Sequence, residues 1–501
     1  RFRRHVHLRR RLGIGGVREQ HIEADAKIET VVAPPLRARW LAPLAAQRLL
    51  AAQSRPGSRP ELVRSTLDAD IQATAERMLL DRVDALPPKV SMAVLVMDND
   101  TLEVKAYAGS ADFSDASRYA HVDMVRGVRS PGSTLKPFLY AQALDEGLVH
   151  SESMLLDAPL SFGGYAPGNF QAAFSGPVSV AQALQRSLNV PAVDLLDRVG
   201  PQRFAANLLA GGVRLRLPAG AAPNLSLILG GAGTTLEELV GAYRALARAG
   251  LAGRPRLAPG QPRVESRMMS PGAAWIVRDI LEGGGHPDRP LAQGGRPVAW
   301  KTGTSFGFRD AWALGVTDHW TIGVWVGRPD GTPNPGYFGA NVAAPLLRDI
   351  VAALPSGPAI PRRRPASVQA VVTCWPLGWR QGSAQAGNCA QPRTAWALDD
   401  TVPPTFAGYA DAASGPLRVQ GLANGSVLRP VPGRREVVLD VSVQGARGQV
   451  WWMLDGRVRQ RGAASAPWSM SMVHNGRYTL TAMDEQGRYD RVVFEIAGVT
   501  P

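Results

Sequence analysis

The chain has 501 residues, 45% of them apolar and 20% charged. That is globular composition in a chain too long for one core, and at ~100–200 residues per domain it implies two or three. The formal charge of +14 invites a nucleic-acid reading, but the excess is arginine spread along the chain without interleaved aromatic and basic residues, which argues against nucleic acid as a partner.

The densest basic block, Arg1 to Arg11, fits a solvated helix face or contact with an anionic lipid surface. Helices are expected over Arg10 to Glu23 and Leu41 to Gln53, ending in the linker Ser54 to Pro60, so residues 1–60 read as a connector. No stretch reaches the ~20 uninterrupted apolar residues of a membrane span. From residue 61 to 355 strand-like and helix-like patterns alternate. Ser91 to Met97 is a short apolar run before a turn, and with Leu102 to Ala108 it predicts a hairpin. Val178 to Leu188 and Thr235 to Ala249 have helical spacing. Trp312 to Val316 and Trp320 to Val326 are close enough to pair antiparallel. Helices grouped between strands imply an α+β domain.

Leu354 to Pro365 is the clearest boundary. Residues 356–409 read as a Pro/Gly-rich linker holding the only two cysteines, Cys374 and Cys389. Their spacing fits either a local disulfide or two free thiols. Neither has a second ligand at metal spacing and the eight histidines are scattered, so no metal and no cofactor is expected. Over residues 410–501, runs at Glu436 to Val443, Gln449 to Leu454, Arg477 to Ala482 and Arg488 to Ile496, with turn signals at Asp455-Gly456 and Asn475-Gly476, predict a small all-β sandwich.

The chemistry concentrates in the central region. In Ser130 to Pro137 (SPGSTLKP), a helix starting near Ser133 would carry Lys136 on the same face one turn on, with its amine beside the Ser133 hydroxyl. A serine needs a base to act as a nucleophile. A desolvated lysine can be one and an arginine cannot, which gives weight to a Ser-x-x-Lys in a chain with only five lysines. Alone the spacing is weak, since a helix-capping serine with a solvated lysine looks the same. Ser187-Leu188-Asn189 follows a predicted helix. Its hydroxyl could relay a proton to a leaving amine and its amide could hold a peptide group. Lys301-Thr302-Gly303-Thr304 sits on a predicted strand, where the lysine adds positive potential, the hydroxyls can bind a carboxylate and glycine admits substrate backbone. The N–H groups of Ser133 and Thr304 could form an oxyanion hole.

These three elements in this order are the signature of penicillin-binding proteins and serine β-lactamases. Arg129 to Tyr140, Tyr165 to Asn169, Ala183 to Val193, Leu229 to Tyr243 and Lys301 to Ala313 all resemble class A penicillin-binding proteins. Thr373 to Gly378, Thr394 to Pro403 and the final β domain resemble the 1C type. The resemblance implies a penicillin-binding transpeptidase fold and a D,D-transpeptidase that cross-links peptidoglycan stem peptides through acylated Ser133. Lys136, Ser187 and Asn189 would be catalytic, and Lys301, Thr302, Gly303 and Thr304 would bind substrate. It further implies β-lactams as covalent inhibitors, a Cys374–Cys389 disulfide in the periplasm, and a possible cell-wall partner for the C-terminal domain. In the family a membrane anchor and a glycosyltransferase domain lie upstream. Residues 1–55 resemble only that domain's tail and linker, so no glycosyltransferase activity is expected of this chain. Two rivals are a D,D-carboxypeptidase or β-lactamase-like hydrolase, and a non-catalytic scaffold. No Glu-x-x-Leu-Asn segment lies between Asn189 and Lys301, so the deacylating base of class A β-lactamases is not evident.

Overall fold

The computed structural model describes residues 41–54, 60, 62–170, 174–284, 297–358, 360–387, 389–406, 417–431, 434–446, 448–484 and 488–499. The basic block, the Arg10 to Glu23 helix and most of the Ser54 to Pro60 linker lie outside them. Among the described residues no helix is long and apolar enough to cross a membrane.

The central element is a five-stranded antiparallel sheet in the order Val104–Ala108, Ser91–Asp98, Trp320–Gly327, Asp310–Val316 and Ala299–Thr304. Both faces are covered, which is why its inner strands read as unbroken apolar runs rather than alternating ones. Along Ser91–Asp98 the two-residue period is still visible. Ala93, Leu95 and Met97 join the larger core, whereas Met92, Val94 and Val96 join a second core under the helices Ala69–Val83 and Ala344–Ala353.

The larger core is helical, and its central helix is Lys136–Asp145, buried along its length except for Asp145. A helix apolar on all sides must be enclosed by others. Phe138 packs edge-on against Tyr243, ring centroids 5.1 Å apart. Two predicted elements differ in detail. Val178 pairs with Leu155 in a two-stranded sheet, and the helix starts only at Val180, because Ser179 and Gln182 form a reciprocal capping box there. The second helix is Leu236–Tyr243, capped by Thr235 and Glu238 in the same way, and passes into a 3₁₀ turn over Arg244–Leu246.

Residues 356–409, expected as a linker, instead hold a hairpin of Val368–Cys374 and Pro392–Leu398. Val368, Trp396 and Leu398 join the larger core, and Trp396 Nε1 donates to Asp279 Oδ2 at 3.1 Å. The Pro and Gly content that suggested a linker belongs to the loops at either end of this hairpin. A Cys374–Cys389 disulfide, with Cα atoms 5.3 Å apart, closes the loop between its strands.

The C-terminal strands form two sheets, one of three strands and one of five, around a core that includes Trp452, Leu480 and Phe494. Asp455 and Gly456 both have positive φ and make the tight turn expected of them. Asn475-Gly476 does not make one. It carries the chain from one sheet to the other, and the Asn475 side chain holds Val499 through both its N–H and its C=O.

Because Phe138 anchors the helix that begins at Lys136, Phe138→Ala is expected to cost about 3–5 kcal/mol, measured as a lower urea midpoint. A loss below about 1 kcal/mol would contradict this packing account.

Candidate active site

Ser133 lies in a 3₁₀ turn, Gly132–Leu135, that feeds directly into the helix Lys136–Asp145. This turn is laid flat on the Lys301 strand, and two glycines make the contact possible. A Cβ on Gly132, whose φ is +54°, would stand 2.5 Å from the Thr304 carbonyl oxygen. One on Gly303 would stand 2.4 Å from the Pro131 carbonyl oxygen. Neither approach is tolerated by real side chains, so both glycines serve close backbone packing. Hydrogen bonds fix the turn from outside. Tyr243 Oη donates to the Thr134 carbonyl at 2.6 Å, Trp312 Nε1 to the Ser130 carbonyl at 2.8 Å, and Ser130 Oγ to the Gly230 carbonyl at 2.8 Å.

Lys136 is fully buried and donates to three acceptors: Asn189 Oδ1 at 2.7 Å, the Ser187 carbonyl at 2.8 Å and the Leu188 carbonyl at 2.9 Å. Lys301, also buried, donates to Ser187 Oγ at 2.7 Å and to the Thr302 carbonyl at 2.8 Å. Ser187 therefore links the two amines, through its carbonyl to one and its hydroxyl to the other. The sequence expectation of an amine paired to the Ser133 hydroxyl differs from what is found. All three Lys136 donors go to the Ser187–Asn189 segment, and none goes to Ser133 Oγ.

The electrostatics follow from burial. Desolvation holds the Lys136 amine well below its usual value, nearby Lys301 pushes it the same way, and Asp157 opposes them. Its three acceptors favour the ammonium and so work against that depression. Burial brings Lys301 down to about 7.

Ser187 occupies the residue just after a helix end with φ +57°, where glycine is the usual choice. A non-glycine there costs ~1–2 kcal/mol and persists only where the surroundings demand it. Here the demand is a carbonyl aimed at Lys136 and a hydroxyl aimed at Lys301.

Sequence reasoning missed two supporting residues. Asn169 accepts from the Asn189 backbone N–H at 2.8 Å and donates to Asp157 at 2.6 Å, while Asn189 Nδ2 donates to the Gly168 carbonyl at 2.8 Å. Asn169 closes the Tyr165 to Asn169 segment that carried part of the resemblance, so a signal existed. Asp157 had none. It is buried, its carboxyl is pushed up by that burial, and it also accepts from the Ser175 N–H at 2.8 Å.

Ser133, Ser187, Asn189, Thr302, Gly303 and Thr304 line one cleft of about 870 Å³. Lys136 and Lys301 lie buried beside it. The Lys301 strand is the last of its sheet, so its outer edge can take an extended peptide. Phe170, 57% exposed, stands at the cleft against Phe308 and Phe338. No group of metal-ligating side chains occurs among the described residues. The disulfide lies outside the cleft, on the hairpin.

The chain is similar to known proteins in sequence and in fold. The family described as "Penicillin binding protein transpeptidase domain" matches residues 92–352, and the "Penicillin-Binding Protein C-terminus Family" matches residues 407–494. Penicillin-binding protein 1C of Escherichia coli is 38% identical over 97% of this chain and 70% of its own length. Penicillin-binding protein 1A of Clostridium acetobutylicum is 31% identical over 52% of this chain and 35% of its own. Among solved structures, penicillin-binding protein PonA1 from Mycobacterium tuberculosis superposes with a TM-score of 0.54 at 22% identity, covering 64% of this chain and 93% of that one. Penicillin-binding protein 1A from Haemophilus influenzae gives 0.54 at 19%, covering 64% and 55%. At these identities the two structures establish a shared fold. The chain belongs to the penicillin-binding protein family, related to the 1C type, as a peptidoglycan-synthesis protein of the serine acyltransferase kind.

Proposed function

We propose that this chain is a D,D-transpeptidase that joins peptidoglycan stem peptides through an acyl-enzyme on Ser133. The observation that carries the reading is the relay Lys136–Ser187–Lys301, two buried amines joined through one strained serine beside Ser133. Lys136, whose buried amine gives up its proton more readily than an exposed lysine, takes the Ser133 proton as Oγ attacks the carbonyl of the penultimate D-Ala. The N–H groups of Ser133 and Thr304 receive the developing oxyanion. Ser187 Oγ accepts from Lys301, which leaves its own proton available to the departing amine of the terminal D-Ala. The proton on Lys136 makes good the one Ser187 gave up, and an amine from a second stem peptide then takes the acyl group, its own proton returning to Ser133 Oγ. Asn189 orients the donor peptide, which lies along the edge of the Lys301 strand. Lys301, Thr302 and Thr304 hold its terminal carboxylate.

β-Lactams present a similar carbonyl and carboxylate, so they acylate the same serine. Likeness to a 1C protein supports a periplasmic site of action, with attachment to the inner membrane through a segment upstream of this chain.

The test is covalent labelling. A fluorescent penicillin is expected to label the chain, Ser133→Ala to abolish the label, and Lys136→Ala to slow it by about 10²–10⁴. A wild-type chain that stays unlabelled while a control enzyme reacts would overturn the reading.

The acylation rate should also depend on pH in a stated way. As pH falls, Lys136 takes up a proton and ceases to be a base, so the rate drops. As pH rises through about 7, Lys301 loses its proton and with it the attraction for the penicillin carboxylate, so the rate drops again. Lys301→Arg keeps the charge and is expected to remove the alkaline limb. A wild-type rate that keeps rising well beyond that pH would contradict a charged Lys301 in binding.

A further inference from the structure

The cleft beside Ser133 has a second wall that belongs to a different domain. Asp455, Gly456, Thr479, Thr481 and Arg491, all from the C-terminal β sandwich, line the same 870 Å³ space as Ser133 and Thr304. The pairing register explains how. Thr481 lies opposite both Met453 and Arg491, so these residues share one face of the five-stranded sheet with Thr479 and Met483. Leu480, Ala482, Val492 and Phe494 point the other way, into the domain's own core.

That outer face is divided. Its apolar part is docked: Met453 and Met483 are buried against Leu156 and Ala158, with Phe174 packed beside them. The dock is also hydrogen-bonded, the Phe174 N–H donating to the Gly456 carbonyl at 2.6 Å and Arg491 Nη2 to the Ser175 carbonyl at 2.9 Å. The docked segment is the one whose other contacts hold the site, since Ser175 and Asn169 both bond Asp157 and Asn169 holds Asn189.

The polar part of the face is left to the cleft, and it is cationic where it meets the other wall. Arg186 Nη2 donates to Ser175 Oγ at 2.8 Å while Arg491 holds the Ser175 carbonyl, so two exposed guanidiniums converge on one serine. Among the described residues neither is in an ion pair. Two guanidiniums outside any direct ion pair at the mouth of a cleft suit a carboxylate, which their paired donors can grip in a fork, even with Asp455 lining the same space and the Asp157 carboxylate interacting with Arg186.

We infer that the C-terminal β domain forms part of the substrate site, with Arg491 and Arg186 binding a side-chain carboxylate of the stem peptide that reacts at Ser133. This rests on the peptide chemistry proposed above. It gives the sandwich a role in choosing substrate, and it makes peptide binding depend on Arg491 more than β-lactam acylation does.

The test measures binding without turnover. A synthetic stem peptide with free side-chain carboxylates, ending in D-Ala-D-Ala, is titrated into the Ser133→Ala chain, as is the same peptide with those carboxylates amidated. The free-carboxylate form is expected to bind more tightly, Arg491→Glu in that background to weaken it by about tenfold or more and to erase the preference, and Arg491→Lys to keep part of it. Penicillin labelling of Arg491→Glu with Ser133 intact is expected to fall far less than the peptide affinity does. Equal affinity for the two peptides, or an Arg491→Glu effect that lowers penicillin labelling equally, would overturn the inference. Failure of the catalytic reading shows up separately, as wild-type chain that takes no penicillin at all.

Discussion

Two lysine amines buried in one hydrogen-bonded relay are the constraint on which the rest of the site depends. Each ammonium would lose most of its hydration on enclosure, a penalty that only close acceptors or deprotonation can offset. The fold supplies both remedies. Three acceptors surround Lys136, yet burial still leaves its amine easy to deprotonate. Lys301 remains near the point of losing its proton. An arginine could not be tuned in this way, which gives a physical reason for two of five lysines lying here in a chain otherwise basic through arginine.

Other local features follow from holding those amines in place. The Ser133 turn must lie flat on the Lys301 strand, so Gly132 and Gly303 carry no Cβ where backbone meets backbone. Ser187 must offer a carbonyl to one lysine and a hydroxyl to the other, so it accepts a left-handed conformation. Asn189 must face Lys136, and its backbone is tied through Asn169 to Asp157. Asp157 is also the carboxylate whose charge opposes the depression of Lys136, although the two are not hydrogen-bonded. The cost of the buried cations is thus spread over a shell that reaches from the central sheet to the segment under the β domain.

The sequence made the three motif segments legible because each has a local signature: a Ser-x-x-Lys, a Ser-x-Asn and a Lys-Thr-Gly-Thr in fixed order. It also revealed the apolar strands and the Asp455-Gly456 turn. What it left hidden depends on contacts between distant residues. Asp157 sits in an unremarkable strand and matters through contacts made by residues distant in sequence, Asn169 and Ser175 folding back onto it and Lys136 lying within reach of its charge. The hairpin Val368–Cys374 and Pro392–Leu398 read as a linker because its loops dominate the composition, while the anchoring of Trp396 on Asp279 leaves no mark in the pattern. Thr481 and Arg491 look like ordinary positions of a solvated sheet, and only the docking of Met453 and Met483 turns that face toward the cleft.

The central claim is that Ser133 passes an acyl group to an amine. Incubating the chain with a stem-peptide donor ending in D-Ala-D-Ala and an isotopically labelled amine acceptor, then analysing protein and products by mass spectrometry, tests it directly. An acyl adduct on the peptide containing Ser133, released D-Ala and a new amide carrying the label are expected. Donor converted only to its free acid in the presence of acceptor, or an adduct on a different residue, would contradict it.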